Sequence, residues 1–156
     1  MEISTPALAV FIAVLSLALS LHTSIATRRA NQLQRLASIR TKLSNLIWKI
    51  QFDLYQYERY ARKFDQFLND EDDEAITFME YLEYIRSDQA TIAELKSPLD
   101  SMSSKLSRYP FFFRVGGLDE VEHLLDSIRA RVDIASENLL PIMQKLVERI
   151  DEASRA

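Results

Sequence analysis

Residues 6–25 carry no charged side chain, and no other feature of this 156-residue chain narrows its possible folds so far. Twenty helical residues rise about 30 Å, the thickness of a bilayer's hydrocarbon core. Ten of the twenty are Leu, Ile, Val or Phe, each favouring insertion by about 0.3 to 0.6 kcal/mol. His22 lies near one end, within reach of the headgroups. The competing reading is a cleaved secretory signal with Ser24 and Ala26 before the cut. Such signals begin with a positive segment, whereas here Glu2 precedes the apolar run and Arg28 and Arg29 follow it. The expectation is a retained transmembrane anchor over residues 1–27.

The basic flank also sets a direction. Arg28, Arg29, Arg35, Arg40 and Lys42 all follow the apolar run, and positive charge near a span stays cytoplasmic. The N-terminus is therefore expected outside and residues 28–156 in the cytoplasm. Only Arg28 and Arg29 lie close enough to feel anionic headgroups strongly. Arg35 stands about 15 Å beyond Ile25, past a screening length of about 8 Å. Within the span, Ala9, Ala13, Ser16 and Ser20 form a seam of small side chains, which lets membrane helices approach closely.

Beyond the anchor, two glycines and four prolines in the whole chain fit a few long helices joined by few turns. The absence of cysteine removes disulfides, thiol nucleophiles and thiolate metal sites. Charge is unevenly spread: residues 28–52 hold six bases and no acid, and residues 53–100 hold thirteen acids and five bases. No extended basic face for nucleic acid results.

Leu36, Arg40, Leu43, Ile47, Ile50 and Leu54 belong to a 3-4-3-4 alternation running from Leu33 to Leu68, the mark of a coiled coil or bundle helix. Ile39, Leu46 and Tyr60 widen that stripe and favour packing against more than one neighbour. This helix is expected to continue straight out of the membrane; because its stripe is out of phase with the anchor seam, either the two faces meet different partners or the helix is interrupted over residues 23–27. An acid-rich turn before residue 75 suits a helix N-terminus. The second helix is expected over residues 71–107, broken at Pro98, with Gln89 as a polar interruption. Asp119 and Glu122 have capping-box spacing for a third helix over residues 119–152, kinked at Pro141. The expected fold class is all-α: a single N-terminal transmembrane helix, then a long-helix three-helix bundle or coiled-coil domain whose first helix spans residues 28–69.

Candidate sites are few. Arg108, Tyr109, Phe111, Phe112, Phe113 and Arg114 form an aromatic run bracketed by arginines. In an up-down-up bundle it returns towards the lipid, where it either docks at the interface or plugs the end of the core. Glu120 and His123 make a Glu-x-x-His pair. Di-iron bundles need two such motifs, and the only other histidine, His22, lies in the anchor. Trp48 and five helical tyrosines are divided between inward and outward positions, and the outward ones are candidate partner contacts. The expectation is a noncatalytic membrane-anchored scaffold or interaction module without cofactor, metal, nucleic acid or small-molecule substrate. Its partners are the lipid bilayer and another protein, a second copy of the chain included. An envelope-spanning spacer with its domain outside the cytoplasm and a small signalling subunit are the alternative readings.

Overall fold

The computed structural model describes residues 5–65, 72–108 and 116–155. They form three long helices, α1 (Thr5–Phe64), α2 (Asp73–Arg108) and α3 (Leu118–Ala153), and no strand occurs among the described residues. The span and the first helix beyond it are one element: α1 runs 60 residues without the interruption considered at residues 23–27. Thr23 and Thr27 donate their hydroxyls to the carbonyls of Leu19 and Thr23, at 2.8 and 2.9 Å. Both hydroxyls are thus satisfied inside the helix and break nothing.

Helix ends follow local chemistry. Asp72 starts α2: its Oδ1 accepts the backbone N–H groups of Glu74 and Ala75 at 3.1 and 3.3 Å, satisfying donors that the first turn leaves free. The capping box expected at α3 is replaced by another arrangement. Gly117 precedes α3 at φ +82° with no side-chain cap, a left-handed conformation open to glycine at low cost. Asp119 and Glu122 both turn instead to Arg35, at 2.5 and 3.2 Å. Nor do the prolines divide their helices. α2 passes through Pro98 and α3 through Pro141 without a break, because apolar burial on both sides outweighs one missing hydrogen bond.

The ion pairs, with one neutral hydrogen bond between Asn138 and Tyr81, report helix direction. Arg35, Lys42 and Lys49, seven residues apart on α1, meet Asp119, Asp126 and Asp133, seven residues apart on α3. This constant offset requires α1 and α3 to run parallel. Glu74, Tyr81 and Asp88 on α2 meet Lys145, Asn138 and Arg131 on α3, one series rising as the other falls, so α2 is antiparallel. Arg40 with Asp100 and Glu58 with Arg86 give the same sense for α1 and α2.

Every helix contacts both others around one apolar core. From α1 come Leu36, Ile39, Leu43, Leu46, Ile50, Leu54 and then Tyr57, Ala61 and Phe64. Ile39 and Leu46 occupy the buried positions next to Arg40 and Ile47, because a helix packed on two neighbours buries a wider arc than one seam. Phe64 closes one end by edge-to-face contact with Phe78 at 5.3 Å. The polar interruption of α2 falls at buried Asp88, where Arg131 donates to it at 2.5 Å. Gln89 beside it is half-buried.

Candidate functional site

The surfaces available for function lie mainly on α1, and they change character along it. Its first part is bare: Val10, Phe11, Ile12, Val14, Leu17 and Leu19 are all more than half exposed. Among the described residues no segment packs on them. Among the described residues this is the one helix long and apolar enough to cross a membrane. Ala9, Ala13, Ser16 and Ser20 lie exposed along it. Arg28 is exposed and Arg29 half-buried, one and two residues after Thr27.

Past the arginines α1 becomes amphipathic. Of the stripe read from sequence, Leu36, Leu43, Ile50 and Leu54 are buried, Ile47 is partly buried, and Arg40 is exposed at the edge. Arg40 reaches Asp100 at 2.8 Å, so it binds a neighbouring helix at the water boundary. The basic stretch that lacked acids in sequence finds them in space. Lys42 donates to Glu122 at 2.8 Å and lies 3.4 Å from Asp126, and Lys49 pairs with Asp133. Hydrogen bonds from Lys42 and then Arg35 hold the Glu122 carboxyl below the usual carboxylate range. The hydrogen bond from Arg149 does the same for Asp72, helped by its cap contacts. Exposed pairs of this kind add little stability, but repeated every seven residues they fix register.

The outer face of α1, opposite the core, carries an aromatic group that periodicity alone did not sort from core residues. Trp48 is 68% exposed, Phe52 49% and Tyr55 64%. The Trp48 and Phe52 rings stack with centroids 5.6 Å apart and planes 12° apart. Their 4-3 spacing, set on the side away from Leu46 and Ile50, was the available signal. Another exposed ring, Tyr84 of α2, borders an open groove of about 930 Å³ with Phe64, Phe78, Ile76 and Met79.

Other candidates stay apart. Arg108 is exposed at the end of α2, while Tyr109, Phe111, Phe112, Phe113 and Arg114 lie outside the described residues. Glu120 and His123 are exposed near the start of α3. Among the described residues no three His, Asp or Glu side chains cluster as metal ligands. Compared with known protein families, curated proteins and solved structures, the chain matches none.

Proposed function

We propose that this chain is a noncatalytic, membrane-anchored interaction module. Residues 6–25 cross the bilayer once, with the N-terminus outside. Arg28 and Arg29 sit at the cytoplasmic headgroups, and the three helices form an up-down-up bundle in the cytoplasm. The bundle presents the outer surface of α1 to a protein partner.

The observation that carries this reading is the continuity of α1. One helix bears an exposed, uncharged apolar run, then a core-facing stripe with exposed aromatic rings on the opposite face. Among the described residues nothing covers side chains such as Phe11 and Leu17, and lipid is the solvent in which their exposure costs nothing. Rigid continuation of the same helix joins the anchor to the domain without a flexible linker. Tethering also confines the domain to a surface, raising its effective concentration for neighbours there.

Topology tests the proposal. The chain has no native cysteine, so Ser4→Cys and Ser154→Cys, made separately, give single reporters for a membrane-impermeant maleimide. In intact cells the cysteine at position 4 should label at once, and the one at 154 only after permeabilisation. Immediate labelling at 154 would reverse the orientation and favour a spacer outside the cytoplasm.

A further inference from the structure

The outer face of α1 is unusual for a helix surface beyond a membrane. Ordinary solvated faces are rich in lysine and glutamate. This one, from Ala30 through Gln34, Ala37, Thr41 and Ser44 to Trp48, Phe52 and Tyr55, holds no charge until Arg59. Cations are plentiful in this part of α1, but Arg35, Lys42 and Lys49 turn to α3 and Arg40 to α2. What remains outward is small and uncharged, then aromatic. Thr41 even returns its hydroxyl to the Ala37 carbonyl at 3.0 Å, so it brings no unsatisfied donor to this face.

The same face continues into the anchor. Ala9, Ala13, Ser16 and Ser20 alternate by four and three residues. Without a missed step the alternation passes through Thr23 and Thr27 to Ala30 and on to Trp48. Because α1 is unbroken, these residues share one side of one helix. That side is turned away from the core stripe, which explains why the two patterns are out of phase in the sequence. A straight helix drifts about 20° per heptad from such a repeat, so contact along its whole length calls for a gentle left-handed coil.

We propose that a second copy of this chain docks in parallel, in register, along this face of α1; the proposal rests on the membrane-anchored reading. Two copies inserted in one bilayer have the same direction and depth, so equal positions on their α1 helices meet. An uncharged face set against itself creates no like-charge contact, whereas a face bearing the Arg35–Lys42–Lys49 row would. Small residues allow close approach within the bilayer, and the rings pack at the far end. Lipid is not the occupant there, because Trp48 lies 23 residues, about 35 Å, beyond Ile25. Trp48, Phe52 and Tyr55 are 68%, 49% and 64% exposed, about 350 Å² per copy at a typical ring area of about 200 Å², so two copies bury at most about 700 Å² through them. A specific interface needs about 1,200 Å² or more, so the small-residue stripe must contribute as well.

The test is disulfide crosslinking of the full chain in native membranes. Ala37→Cys, Thr41→Cys and Ser44→Cys report the stripe, and Ser127→Cys, exposed on α3, is the control. With mild oxidant the three stripe variants should form a band at twice 18.1 kDa, about fivefold or more above the control, since a disulfide needs Cβ atoms about 4 Å apart. Adding Trp48→Glu and Tyr55→Glu to Thr41→Cys should remove that band while leaving the helical circular dichroism unchanged. Carbonate extraction of the same membranes separates the two readings. A chain that stays embedded yet crosslinks no better than the Ser127→Cys control overturns the homodimer alone. A chain that washes off overturns the anchor and the dimer together. Crosslinking to a partner of different mass assigns the face to another protein and also overturns the proposal.

Discussion

Asp53 shows how far a single side chain can depart from what its position in the sequence implies. It sits on the core side of α1 between Ile50 and Leu54, half-buried, and accepts a hydrogen bond from Ser136 at 3.2 Å. Burial pushes its carboxyl above the ordinary value of 3.8, against the opposing effects of Ser136 and Lys49. A carboxyl with a raised folded pKa contributes stability below 3.8 and loses it as the pH rises through the folded value. Charged Asp53 therefore costs stability at neutral pH. Asp53→Asn still accepts from Ser136 and carries no charge, so it should melt at a higher temperature than the parent at about pH 7 and together with it at about pH 3. A lower melting point at neutral pH would mean that attraction to Lys49 outweighs burial. Nothing in the local sequence marks Asp53 as buried, since its surroundings come from α3, 83 residues away.

At the scale of elements, the amphipathic patterns and the two connections between helices were readable, and the effect of the prolines was not. Pro98 and Pro141 carry the ordinary signal for ending a helix, and both lie inside one. In α2 the reason is burial of Ile92 before the proline and of Leu99 and Leu106 after it. A helix that stopped at Pro98 would lose that shared face. An interior proline costs about 3 kcal/mol, of which about 0.4–1 is recovered by stiffening the unfolded chain. Pro98→Ala should thus stabilise the helical domain by about 2 kcal/mol in denaturant titrations of the full chain in detergent. An unchanged midpoint would show that neighbouring turns already absorb the missing bond. The capping box misled for a related reason. Asp119 and Glu122 have the right spacing, but Arg35 competes for both from another helix. Gly117 supplies the turn instead.

For the whole molecule, stability and interaction divide between the two sides of the same helices. Leu82 of α2 is fully buried, and Tyr84, two residues on, is 69% exposed. Leu82→Ala removes packing from the shared core and should cost about 2–5 kcal/mol. Tyr84→Ala should stay within about 0.5 kcal/mol of the parent, as surface changes do. Equal losses at the two positions would mean that the groove beside Tyr84 is closed in the folded chain. One core built by three helices also makes register a property of the assembly. The heptad-spaced polar contacts align α1 with α3 and α3 with α2, so no single helix can slide without breaking a row.

Sequence alone determined the helical class, the number of helices, the apolar run long enough for a membrane and most of the side chains that face inward. Each of these depends on residues within one helical turn or on the local cost of exposing apolar surface to water. Tertiary structure decided the passage through both prolines and the pairing of a base-only stretch with acids more than 80 residues away. It also decided which aromatic rings remain outside. On a helix buried by two neighbours, only the placement of both neighbours separates core from surface, and neither is written in the helix's own repeat.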